Sequence, residues 1–161
     1  MISDVVQEIW QALDEVKDPE IPVVSLVEMG IVRDVVIDKS QVIITITPTF
    51  SGCPALHAMK TDIVQRLNTL GYANVEIQTT FTPAWSSDWI SESARAKLRE
   101  FGLAPPPIHH GDLNVMLWEV ATCPYCGSTK TSIRNSFGPT ACRMIYYCNA
   151  CNQPFEQFKP L

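Results

Sequence analysis

Two cysteine pairs of identical spacing, Cys123-Pro124-Tyr125-Cys126 and Cys148-Asn149-Ala150-Cys151, constrain this chain more than any other feature. The N-terminal stretch MISDVVQEIW has neither the basic nor the apolar region of a secretory signal, so the expected location is the cytoplasm. In a reducing compartment such pairs signal metal or redox chemistry rather than a disulfide framework. Each pair brings two thiolates within reach of one ion. Gly127 and Asn152 follow them, residues that tolerate the left-handed turn needed to aim backbone amides at the sulfurs. The 21 residues between Cys126 and Cys148 leave room for a hairpin, with a strand over 144–147 feeding the second pair. Four thiolates around one ion make a closed structural zinc site with no position left for catalysis.

Other readings of these cysteines stay open. Four thiolates also hold a rubredoxin-like iron or a cluster. Cys-Pro-Tyr-Cys is a thiol–disulfide exchange motif as well, but that chemistry wants a strand, a turn and a helix around it, and Gly-Ser-Thr follows here. Cys142 lacks a paired cysteine and reads as a small buried residue, with replacement of one of the four ligands as the alternative.

The rest of the chain has a different texture. Residues 1–104 carry 8 basic and 14 acidic side chains, net −6, against 4 and 3, net +1, for residues 105–161. The total of −5 argues against nucleic acid as a partner. No run approaches the roughly 18 apolar residues that a membrane helix needs. Pro105-Pro106-Pro107 has no backbone donors and reads as a spacer. The expected organisation is therefore an α+β domain over 1–104, a proline-containing linker over 105–120, and a four-cysteine zinc ribbon over 121–161.

Within the first part, Val6, Ile9, Trp10, Leu13 and Val16 make one face of a helix over 3–16, with Ser3 as its cap. Pro19 and Pro22 stop it. Strands are expected over 31–37 and 41–47, joined by the turn Asp38-Lys39-Ser40. Pro54 suits a helix start, and Leu56, Met59, Ile63, Leu67 and Leu70 give that helix an apolar stripe up to Gly71. A third strand over 75–81, a loop over 83–89 and a helix over 91–101 complete the order. This predicts a small mixed sheet, mainly three-stranded, with helices packed on one face. The four tryptophans read as core or interface anchors.

Cys53 precedes the second helix. A thiolate there gains from unpaired amides and the helix dipole, which suits a reactive or metal-handling cysteine, and a cysteine packed under the helix is the plainer alternative. His57 follows one turn later, where a surface histidine is the commoner case. Asp18 and Glu20 are either an acidic wall beside Cys53 or ordinary turn residues. His109 and His110 read as an exposed pair in the linker.

Asp18-Pro19-Glu20-Ile21-Pro22, Met29-Gly30-Ile31-Val32 and Thr47-Pro48-Thr49-Phe50-Ser51-Gly52-Cys53-Pro54 resemble the small domain of SufT-type iron–sulfur assembly accessory factors. Asp88-Trp89-Ile90, Arg99-Glu100-Phe101-Gly102, the proline run, Cys-Pro-Tyr-Cys and the stretch from Ser136 to Cys142 resemble the D-subunit family of phenylacetyl-CoA epoxidase, the oxygenase of aerobic phenylacetate degradation. The resemblance implies a non-catalytic accessory subunit that helps mature or insert iron or iron–sulfur centres. Its implied partners are the di-iron oxygenase and the iron–sulfur reductase components. In the related assembly factors the cysteine matching Cys53 is the reactive one, so a cluster or iron held transiently at Cys53, alone, across a homodimer or with a client's ligands, is the implied cargo. Asp18 and Glu20 match the acidic loop. The alternative is a permanent structural or regulatory subunit with no metal-transfer role. No paired Glu-x-x-His motif of a di-iron bundle and no glycine-rich nucleotide loop is present in the sequence.

Overall fold

The computed structural model describes residues 2–161, apart from the side chains of Ile2 and Ser3. The capping role expected of the Ser3 side chain lies outside that description. The chain forms two compact units that divide between Trp85 and Ser86.

In the first unit, α1 (Ile2–Asp14) is followed by β1 (Val32–Asp38), β2 (Gln41–Ile46), α2 (Leu56–Thr69) and β3 (Val75–Thr79). β1 and β2 pair antiparallel around the expected turn, with Asp38 opposite Gln41. β3 pairs parallel to β2, Ile44 lying opposite Ile77. A parallel neighbour requires a crossover, and α2 supplies it. The sheet is therefore mixed, in the order β1-β2-β3. The predicted stripes enter the core: Ile9 and Leu13 of α1, Ile44 and Ile46 of β2, and Ile63 and Leu67 of α2 are all fully buried. α1 packs on α2 and β1, and α2 on β3. The α2 stripe weakens at its end, where Leu70 is exposed. Trp85 closes the unit, donating its indole N–H to the Met29 carbonyl at 2.9 Å.

The second unit is built on a four-stranded sheet of order β4-β7-β6-β5, from β4 (Leu103–Ala104), β5 (Thr131–Asn135), β6 (Arg143–Cys148) and β7 (Gln153–Phe158). α3 (Glu92–Glu100) precedes it and α4 (Leu113–Trp118) is inserted after β4. Ser91 caps α3 by accepting the Ala94 amide at 3.0 Å. Of these elements, the sequence pattern announces α3 and β6. β4, α4, β5 and β7 are too short, or too polar on one side, to show a period.

The compact units divide after Trp85, whereas the sequence suggests a boundary after residue 104, and the proline run is no free spacer. β4 enters the sheet beside β7, Leu103 lying opposite Glu156. The Arg95 guanidinium, 6% exposed, donates to three carbonyls, those of Ile90, Ser87 and Pro106. A donor-less proline segment still offers carbonyl acceptors, and a buried arginine has five N–H groups to satisfy. His109 is likewise buried rather than exposed. Its Nε2 lies 3.0 Å from the Leu161 carbonyl, and its Nδ1 accepts the Gly111 amide at 2.9 Å. His110 is exposed as expected. Asp88 receives the His109 and His110 amides at 2.9 and 2.7 Å. Burial pushes its carboxyl up, but these two donors and the imidazoles outweigh it and hold Asp88 below the usual carboxylate range.

Candidate functional site

The sulfurs of Cys123, Cys126, Cys148 and Cys151 lie within 4.8 Å of one another. Cys123 and Cys151 are 3.8 Å apart and Cys126 and Cys148 3.5 Å. A tetrahedron with zinc–sulfur bonds of about 2.3 Å has an edge of about 3.8 Å, so the cluster has the size of a zinc cage.

The two halves are built alike. The Gly127 amide donates to the Cys123 carbonyl and the Asn152 amide to the Cys148 carbonyl, each at 2.9 Å. Gly127 and Asn152 have φ of 73° and 59°, the left-handed turns expected of them. Main-chain bonds then tie each knuckle to the strands: the Cys123 amide donates to the Ser128 carbonyl, and the Asn149 amide to the Lys130 carbonyl. Nothing in the sequence points to Ser128 and Lys130, because the groups used are carbonyls that every residue possesses.

The cage is asymmetric in its exposure. Cys123 and Cys148 are buried in a small core with Ala104, Ala121, Tyr146 and Phe155, while Cys126 is exposed and Cys151 half-buried. The Cys151 and Ala150 amides draw the Cys148 thiol down to about 6, against the desolvation that opposes them. Desolvation and the neighbouring sulfurs push Cys151 up to about 12. Four crowded sulfurs cannot all ionise without a cation between them, which is the electrostatic setting of a metal site.

Cys142 stands outside this group. It is buried, with its sulfur 3.1 Å from the Thr140 hydroxyl. The exchange reading of Cys123 and Cys126 also loses its context, since the segment after Cys126 turns directly into β5 rather than into a helix.

In the first unit, Cys53 lies in the turn ahead of α2, half-buried and in no disulfide. Its carbonyl accepts the Leu56 amide at 3.2 Å, and α2 itself begins two residues later than Pro54 suggests. His57 is exposed in the first turn of α2. Asp18 is a turn residue: its Oδ1 accepts the Glu20 and Ile21 amides at 2.8 and 3.1 Å. It shares a surface cavity with Asp62, Gln65, Arg66 and Thr69. Asp18 thus borders the outer side of α2.

A protein of Escherichia coli K12, assigned as the D component of 1,2-phenylacetyl-CoA epoxidase, is 39% identical to this chain over 154 residues, 96% of this chain and 92% of that one. The chain belongs to the PaaD family. Residues 114–159 match the PaaD zinc beta ribbon domain. Residues 6–79 match the iron–sulfur cluster assembly protein family. An Fe-S protein maturation auxiliary factor of Porphyromonas gingivalis is 33% identical over 94 residues, 57% of this chain and 89% of its own length. Among solved structures, a domain of unknown function from Bacillus anthracis superposes with a TM-score of 0.56 at 29% identity, covering 60% of this chain and 92% of that one. The α+β fold with a following zinc ribbon is thus the family's, and its four-cysteine cluster suits a metal such as zinc. No helix among the described residues is long and apolar enough to cross a membrane.

Proposed function

We propose that the chain is a non-catalytic accessory subunit of the phenylacetyl-CoA epoxidase system in the cytoplasm, which delivers iron or an iron–sulfur cluster to the oxygenase and reductase components. The observation that carries this reading is the pairing, in one chain, of an iron–sulfur assembly domain over 6–79 with a PaaD zinc ribbon over 114–159. The four ribbon cysteines would hold one zinc, whose chemistry there is structural: it ties the two knuckles together and leaves no ligand position for a substrate. Cys53 is the delivery residue. A single half-buried thiolate can exchange a bound cluster with a client's ligands, which a closed four-thiolate cage does not readily do. Asp18 and Glu20 form the candidate acidic loop of this scheme, with Asp18 also holding its own turn.

The test is Cys53→Ser in cells that make the whole epoxidase. Zinc should remain at one per chain, while the iron and sulfide content of the purified reductase and oxygenase drops several-fold. Fully loaded components would sink the delivery reading. The second reading, a permanent structural or regulatory subunit, is favoured by the exposed apolar side chains of the ribbon unit. It expects stoichiometric co-purification with the oxygenase and indifference to Cys53→Ser.

A further inference from the structure

Gln157 of β7 is only 2% exposed, yet among the described residues its side-chain amide makes no hydrogen bond. A buried amide is costly to leave unpaired, and most find a partner. This one opens on a cleft of about 220 Å³ between α3, the proline run and the segment leading into Cys123, all within the second unit. It also borders the groove beside α4. The cleft has a buried floor of Arg95, Pro106, Ala121 and Gln157, and an exposed mouth that carries Glu92, Arg99 and Glu119.

Arg95 supplies the charge of that floor. Its guanidinium has five N–H groups, and the carbonyls of Ile90, Ser87 and Pro106 take three of them. All three acceptors are neutral. Among the described residues Arg95 has no ion-pair partner, and Asp88 is engaged by the His109 and His110 amides. Desolvation therefore pushes Arg95 below the usual arginine range, and the fields of Glu92 and Asp88 oppose this only in part. A buried cation without a paired anion, next to an unpaired amide, is the donor set of an anion site. The mouth narrows the choice of anion. Glu92 and Glu119 repel a dianion such as phosphate more than they repel a monoanion. Val120, Ala121 and the three proline rings offer an apolar wall for the rest of the molecule. The volume lies below that of drug-sized sites, so the occupant is small, roughly ten non-hydrogen atoms.

We infer that this cleft binds a small monocarboxylic acid, with its carboxylate on the Arg95 guanidinium and the Gln157 amide and its apolar body against the proline rings. A neutral amide would satisfy Gln157 but leave the buried charge of Arg95 uncompensated. A cation would be repelled by that charge. The site goes beyond the delivery reading and does not rest on it, since neither Cys53 nor any ribbon sulfur lines the cleft. Thr122 does line it and directly precedes Cys123, so an occupied cleft adjoins one knuckle of the four-cysteine cluster.

The experiment follows the side-chain signals of the full-length protein by NMR while phenylacetate, acetate, inorganic phosphate or benzylamine is added. Phenylacetate should bind saturably with a Kd of about 1–10 mM or tighter, the range for a ligand of roughly ten non-hydrogen atoms. The Gln157 amide and the Arg95 Nε–H should shift first. Acetate should act on the same signals more weakly, because it lacks the apolar body. Gln157→Leu should weaken phenylacetate about tenfold, as loss of a hydrogen bond to a charged group does. Zinc at one per chain in that variant checks that the ribbon is intact. The surface change Glu92→Gln/Glu119→Gln should tighten binding about two- to threefold by removing the repulsion at the mouth. Absence of a saturable shift at Gln157 would overturn the proposal and give the cleft to water. So would undiminished binding by Gln157→Leu, weaker binding by the glutamate variant, or a preference for phosphate or benzylamine. Cys53→Ser should bind phenylacetate as the wild type does, whether or not it still loads the epoxidase components, so the failure of one reading leaves the other standing.

Discussion

The two units handle cysteine in opposite ways. The first keeps Cys53 half-buried in the turn ahead of α2, while Ile9, Leu13, Ile44, Ile46, Ile63 and Leu67 are its fully buried side chains. The second puts Cys123 and Cys148 inside its core, beside Tyr146 and Phe155, whose rings stack at 5.6 Å. A cysteine outside the core can take part in chemistry without endangering the fold. A cysteine inside it, sharing a metal, is committed to the fold. Small units with thin cores commonly need such a staple.

The largest expected effect on this contrast comes from Cys148→Ser. Structural zinc sites contribute on the order of 10 kcal/mol of apparent folding free energy, so this change should abolish zinc binding and unfold the second unit. Limited proteolysis should then remove residues 86–161 while residues 1–85 resist. Simultaneous loss of both would mean that the units unfold as one. Next in size is Ile63→Ala, which opens a cavity in the first core at a cost of about 2–5 kcal/mol. Denaturant titration should show that loss with the zinc content still at one per chain. Zinc loss in this variant would erase the distinction between a metal-independent and a metal-dependent unit.

The smallest effect concerns Asp88, whose carboxylate gathers the His109 and His110 amides. Its folded value lies below the ordinary one, so the stabilisation is present above the unfolded value of about 3.9 and disappears as pH falls through the folded value. Asp88→Asn should lower the thermal midpoint of the second unit at neutral pH. The gap to the wild type should close in acid. A gap that is independent of pH would assign the effect to packing rather than to the charge.

Much of the first unit was legible because its elements are long enough to show a period. Met59, Ile63 and Leu67 mark α2, and Val42, Ile44 and Ile46 mark the buried face of β2. The four-cysteine cluster was legible for a different reason. Two close pairs of thiols, each followed by a residue suited to positive φ, are a local code that survives whatever the chain does between them. The proline run misled because local sequence reports what a segment lacks and not what reaches it. The arginine that donates to the Pro106 carbonyl sits eleven residues away on α3. His109 misled in the same way, since its burial depends on the Leu161 carbonyl, 52 residues distant.

The sequence by itself determined the small mixed sheet with its helices and the clustering of the four ribbon cysteines, because these rest on short-range periodicity and spacing. Only the tertiary structure decided that the units divide at Trp85, that Arg95 takes up the Pro106 carbonyl, and that none of the α4 side chains is fully buried. Each of these depends on which distant groups come into contact, and a residue's neighbours in space are not written in its neighbours along the chain.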